Sequence, residues 1–90
     1  MTAQYTYEVE ERRHFADGVR WVLLAPSVSI DHVSDAVGYA VVSARQHNTS
    51  TRVVRREYTR HRRGTATVRR EVIVTFDHHG KRVRRRNEEA

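Results

Sequence analysis

Tyr5, Tyr7 and Val9 alternate with Thr6, Glu8 and Glu10, the two-residue period of a half-buried strand, and the pattern runs on through Arg13 to Phe15. Asp17-Gly18 marks a tight hairpin turn. The return strand reads Val19-Arg20-Trp21-Val22-Leu23-Leu24, and Pro26 ends it because proline cannot donate to a ladder.

From Ser29 the period changes. Ile30, Val33, Ala36, Val37, Ala40, Val41 and Ala44 fall on one arc of a helical wheel, with Asp31, Asp35, Arg45 and Gln46 opposite. A helix over about residues 30–47, packed by one face on the sheet, follows from that spacing. Ser27 or Ser29 can cap it, and Asp31 in the first turn suits the helix dipole. Ser34, Gly38 and Val42 lie one turn apart on the outer face and together make a shallow groove. That groove is a candidate contact for another helix, as in a homodimer, or simply tolerated surface.

After Asn48-Thr49-Ser50 the strand signal resumes at Arg52–Arg60, turns at His61 to Gly64, and continues from Thr65 to Phe76. A two-residue turn at Arg63-Gly64 would place Arg56 opposite Glu71 and Glu57 opposite Arg70. Hydrophobic parity argues otherwise. Val54 and Tyr58 share a face with Ala66, Val68, Val72, Val74 and Phe76 only after a one-residue slip, and core burial outweighs exposed ion pairs of about 0.2–1 kcal/mol each. A three- or five-residue loop, or a bulge near Gly64, is therefore expected. Arg56 and Arg70 then interrupt the apolar face and belong at its rim or against a ligand. Asp77-His78-His79-Gly80-Lys81 reads as a further hairpin loop, leading into a short fifth strand or a frayed tail.

The expected architecture is a single α+β domain over residues 1–86, ordered β-β-α-β-β with an optional short fifth strand. Its antiparallel sheet carries one helix on one face, and residues 87–90 form a disordered tail. The expected core is Tyr5, Tyr7, Val9, Trp21, Leu23, Val33, Val37, Ala40, Val41, Val54, Val68, Val72, Val74 and Phe76. Val22, Leu24, Val53 and Ile73 fall on the opposite face, which one helix leaves open and a second copy of the chain would bury.

A chain of 90 residues holds one core and buries about 60–65% of its unfolded surface. It has no cysteine, so neither disulfides nor thiolate metal sites hold it together. The first residues lack the apolar stretch of a signal peptide, and no apolar run approaches the roughly 20 residues of a membrane span. A cytoplasmic location is expected.

Charge changes the picture most. Residues 1–51 carry four arginines against six carboxylates, whereas residues 52–90 carry thirteen Arg or Lys against five carboxylates. Sixteen of the seventeen basic residues are arginine, a bias typical of GC-rich genomes and of the small chains encoded by their phages and mobile elements. Residue choice of that kind explains arginine in place of lysine but not the net excess. Positive charge of this density attracts nucleic acid and other polyanions.

The candidate nucleic-acid contacts are Arg52, Arg55, Arg56, Arg60, Arg62, Arg63, Arg69 and Arg70 in the strands and their turn, and Lys81, Arg82, Arg84, Arg85 and Arg86 beyond them. Tyr58 is the candidate for stacking a base. The plainer alternative is that exposed arginines keep strand edges soluble.

Catalytic patterns are missing from the sequence. Its six histidines form no His-x-x-x-His pair, and adjacent His78 and His79 offer at most one metal ligand each. The serines lack a nucleophile elbow, the four glycines build no phosphate loop, and Asp31 and Asp35 have no acid–base partner. A non-enzymatic protein without cofactor is expected. No family signature emerges: a single helix excludes helix-turn-helix, and the aromatic motif of the common RNA-binding sheet is absent. The leading expectation is a nucleic-acid-binding or regulatory accessory protein. The alternative is an adaptor or inhibitor that docks on an acidic or apolar surface of another protein.

Overall fold

The alternation at the start of the chain becomes strand β1 (Ala3–Phe15), which turns back into β2 (Gly18–Leu23). The computed structural model describes residues 3–24, 30–61 and 63–83; Pro26, Ser27, Ser29, Arg62, Arg84, Arg85, Arg86 and residues 87–90 lie outside these, as do the side chains of Ala3, His61, Thr65 and Val68. Phe15 pairs with Gly18, so the turn residues are Ala16 and Asp17, and Gly18 follows with φ 137°, a backbone region open mainly to glycine. Helix α1 (Val33–His47) then carries the chain to β3 (Thr51–His61) and β4 (Gly64–Phe76). The sheet order is β2-β1-β3-β4 with every neighbour antiparallel. This is the β-β-α-β-β arrangement expected from the sequence, with one helix on one face.

The helix starts three residues later than the periodicity suggested. His32 is the N-cap, in extended geometry and without a side-chain cap bond, and Asp35 rather than Asp31 supplies the acidic group of the first turn. At the other end Asn48 takes the left-handed conformation (φ 53°), and its N–H and that of Thr49 both donate to the Ala44 carbonyl. Ala36, Ala40 and Ala44 are fully buried. Their small side chains let the helix lie close to the sheet, with Val37 and Val41 packed at the flanks. The closeness is fixed by a buried hydrogen bond, Thr51 Oγ1 to the Ala40 carbonyl at 2.8 Å.

The β3–β4 hairpin resolves the parity conflict by a different device from a long loop. His61 pairs with Gly64, so only residues 62 and 63 connect the strands. Gly64 has φ 119°, repeating the arrangement at Gly18. Register then shifts twice, between Glu57 and Tyr58 and between Val53 and Val54, each time by one extra residue on β4. These bulges, at Val68 and Ile73, account for β4 having 13 residues against 11 in β3. Between them Val54 faces Val72, Arg55 faces Glu71, Arg56 faces Arg70 and Glu57 faces Arg69.

The second bulge also corrects the expected core. Val74 and Phe76 turn toward the helix while Val54 and Val72 turn away, so the residues read as one apolar face occupy two. Val9, Val53 and Val74 pair in line across three strands and form the core with Ala36, Ala40 and Phe76. Val53 is 0% exposed on the helix side, not on the opposite face, and Leu24 and Ile73 pack against the same cluster. Tyr5 and Val33, by contrast, are largely exposed, and Trp21 and Leu23 are half-buried. Leu24, Val53 and Ile73 therefore do not form the open apolar face expected of them, and Val54, on the face away from the helix, is itself only 2% exposed.

After β4 the loop residues fold tightly on Asp77. Its carboxylate accepts the N–H groups of His79 and Lys81, its own N–H donates to the Lys81 carbonyl, and Gly80 N–H returns to its carbonyl. Arg82 then bridges Phe76, and Val83 N–H donates to the Thr75 carbonyl at 2.8 Å, the beginning of a fifth strand along the outer edge of β4. Among the described residues no helix is long and apolar enough to cross a membrane.

Candidate nucleic-acid interface

Strand alternation puts Thr6, Glu8 and Glu10 of β1 on the face away from α1, beside Arg52, Val54 and Arg56 of β3 and Arg70 of β4. The arginines expected to contact nucleic acid meet carboxylates there. Arg52 Nε lies 2.6 Å from Glu10 Oε1, and its guanidinium stacks 4.3 Å from the centroid of the Trp21 ring. Arg70 reaches over β3 to both Glu8 (3.0 Å) and Glu10 (3.2 Å), and these bonds raise its pKa. Glu10 is only 6% exposed, so two cations compensate one buried charge.

On the helix side, Arg55 and Arg69 grip Glu71 at 2.6 and 3.0 Å. The positive charge of Arg69 and the hydrogen bond from Arg55 hold Glu71 below the usual glutamate range. Glu11, 4% exposed, lies beneath the end of the helix with Arg13 Nε and His47 Nδ1 each 2.6 Å from its oxygens. Burial pushes its pKa up, but those two bonds outweigh burial and the carboxyl ends below its ordinary value.

Four of the predicted contacts, Arg52, Arg55, Arg69 and Arg70, are thus engaged within the chain. Arg56 is half-buried, donates to Thr67 Oγ1 at 2.8 Å and stands over the Tyr58 ring, 5.6 Å from its centroid, so Tyr58 already has a cation as neighbour. Among the described residues Arg60, Arg63, Lys81 and Arg82 are exposed and make no ion pair. They form two groups: Arg60 and Arg63 at the β3–β4 turn, and Lys81 and Arg82 beside Phe76 at the far end of β4. Along β3 the interval from Arg60 to Thr51, which pairs with Phe76, is nine steps of about 3.3 Å, so the strand separates the two groups by roughly 30 Å.

Ser34, Gly38 and Val42 are all exposed on the helix, as the wheel suggested. Gly38 and Val42 line a shallow cleft with Tyr39, Ser43, Gln46 and His47, and Ser34 lies outside that lining. The rings of His78 and His79 touch at a tilt of 41°, with centroids 3.9 Å apart. Among the described residues no three potential metal ligands come together.

Sequence reasoning missed the internal partners, Glu8, Glu10 and Glu11. The signal was present: the acidic residues cluster in β1 and the basic ones in β3, and only the placement of β1 beside β3 was needed to join them. It also missed a polar cleft where Arg12 and His14 meet the Asn48–Ser50 loop and His78. No protein-family model, no curated protein and no solved structure matches this chain.

Proposed function

We propose that this chain is a non-enzymatic nucleic-acid-binding accessory protein that holds the phosphate backbone through the two basic groups at the ends of β4. The observation that carries this reading is the division of labour among the cations. The mid-strand arginines are matched by Glu8, Glu10 and Glu71, whereas Arg60, Arg63, Lys81 and Arg82 are exposed and without carboxylate partners among the described residues. Exposed arginine and lysine free of internal partners release counterions on meeting phosphate, and the binding energy they supply depends on salt. Arg84, Arg85 and Arg86 extend the second group along the sequence.

Fluorescence anisotropy with duplex and single-stranded oligonucleotides over a range of salt concentrations tests it. Replacing Arg60 and Arg63, or Lys81 and Arg82, with alanine should each flatten the dependence of log K on log salt by about 1–2. Replacing Arg55 and Arg69 should change that slope much less. Absence of binding at low salt rejects the proposal.

One observation favours a second reading, a protein partner on the helix. Val42 is 55% and Tyr39 43% exposed beside the Gly38 cleft, an apolar patch without a covering element among the described residues. A pull-down that keeps a single stoichiometric protein partner after nuclease treatment, and loses it on Val42→Asp, would favour this reading. Light scattering separates a second copy of the chain from a foreign partner.

A further inference from the structure

β1 extends past the end of β3. Its pairing with β3 stops at Glu11–Thr51, and Arg12 to Phe15 pair only with β2. The free edge of this overhang faces the loop that joins α1 to β3. Arg12 N–H donates to the Ser50 carbonyl at 2.9 Å, and Thr49 Oγ1 donates to the Arg12 carbonyl at 2.7 Å. Backbone groups of alternate residues point to the same side of a strand, so His14 N–H is directed the same way as that of Arg12, just beyond the reach of the loop.

The resulting cleft, about 260 Å³, is lined by Arg12, His14, Asn48, Thr49, Ser50 and His78. None of the six is acidic. Arg12 is exposed and has no ion pair among the described residues. Two carboxylates adjoin the cleft, and both are engaged: Glu11 holds Arg13 and His47, and Asp77, next to His78, accepts the N–H groups of His79 and Lys81. One guanidinium, two imidazoles, an amide, a hydroxyl and a strand-edge N–H thus border a cleft that has no carboxylate in its lining, the donor set of an oxyanion site.

We propose that this cleft binds a tetrahedral phosphate group, with Arg12 as the charged clamp and His14, Ser50 and His78 as the orienting donors. The proposal deepens the nucleic-acid reading and rests on it in one respect: the physiological source of the phosphate would be a phosphodiester backbone. A free phosphate carries the same chemistry, and the two sources are separated experimentally. The cleft shares its end of the sheet with Lys81 and Arg82, so a strand held there would meet both.

The test is a titration of the full chain, labelled with ¹⁵N, with inorganic phosphate and separately with a short oligodeoxynucleotide, at fixed pH and ionic strength. Saturable shifts of the amides of His14 and Ser50 and of the His78 ring are expected with both probes. Arg12→Ala should weaken phosphate binding roughly tenfold, as expected for one charge-assisted hydrogen bond, and His78→Ala should weaken it by a smaller factor. Arg60→Ala/Arg63→Ala should leave phosphate binding in the cleft unchanged.

Should phosphate produce no saturable shifts at these residues, or bind equally well to Arg12→Ala and His78→Ala, the site is refuted. Oligonucleotide binding that survives without cleft shifts refutes the site but not the wider function. Phosphate binding without any oligonucleotide binding refutes the backbone as the source and, with it, the nucleic-acid reading.

Discussion

Arg70, on the edge strand β4, places its guanidinium across β3 onto β1, 3.0 Å from Glu8 and 3.2 Å from Glu10. The contact ties three strands together on the face that has no helix. Arg70→Ala should lower unfolding stability by about 1–2 kcal/mol, because buried Glu10 loses one of its two cations while the half-exposed guanidinium keeps the loss near surface-pair values. Arg70→Lys should recover only part, since an ammonium lacks the fork that serves two carboxylates. Urea denaturation measures both, and an unchanged midpoint in Arg70→Ala would show that the contact contributes nothing.

Val53 lies in the core and is fully buried under the helix. Val53→Ala should cost about 2 kcal/mol, the lost transfer energy plus the cavity left behind. Val22, paired with Glu11 at the half-buried edge of the sheet, should tolerate the same change at less than half that cost. Equal effects would contradict the register described for β3.

Two glycines should respond to alanine in opposite directions. At Gly38 nothing lies within 4 Å of an added Cβ, and the residue is in a helix, so Gly38→Ala should stabilise by about 0.5–1 kcal/mol. Gly80 has φ +81°, and a Cβ there would stand 2.8 Å from Arg45 Nε and 3.2 Å from Val41 Cγ1. Arg45 also donates to the His79 carbonyl, so the loop has little room to retreat from the helix. Gly80→Ala should destabilise by about 1–2 kcal/mol, from the left-handed backbone and the steric conflict together. Thermal unfolding of the two variants provides the check.

Stability should decline on acidification. Glu11, Glu71 and Asp77 all have folded-state pKa values below their ordinary ones; for Asp77 the principal cause is the Lys81 N–H, followed by that of His79. A carboxyl with a depressed folded pKa adds stability that is complete above its unfolded pKa and disappears as pH falls through the folded value. The loss should therefore begin near the ordinary glutamate value of 4.5 and deepen below it. Glu11→Gln should be less stable than the parent at neutral pH and show a shallower acid limb. Denaturation midpoints at several pH values test this, and parallel curves for parent and variant would refute it.

The order and type of the elements were legible in the chain because each rests on a short-range period. The two-residue alternation of β1, the four-residue arc of α1 and the glycine-marked turns all act between near neighbours. Helix ends were less legible, since the start at Val33 has no side-chain cap to signal it. The β3–β4 pairing shows both sides of the matter. Parity along the sequence required a one-residue slip, and a bulge supplies it, yet parity could not show that a second bulge returns Val74 and Phe76 to the helix side.

The candidate interface was legible only in part. Sequence alone determined that the second half of the chain carries excess positive charge, because that is a count. Only the tertiary structure decided which of those charges remain available. The crossover through α1 sets β3 beside β1, and that neighbourhood delivers the glutamates of one half to the arginines of the other. Coulombic pairing depends on distance in space, whereas the sequence records only distance along the chain. Arg60, Arg63 and Arg82 are the same side chain as Arg52 and Arg70, and Lys81 carries the same charge; what separates them is which residues the fold sets beside them.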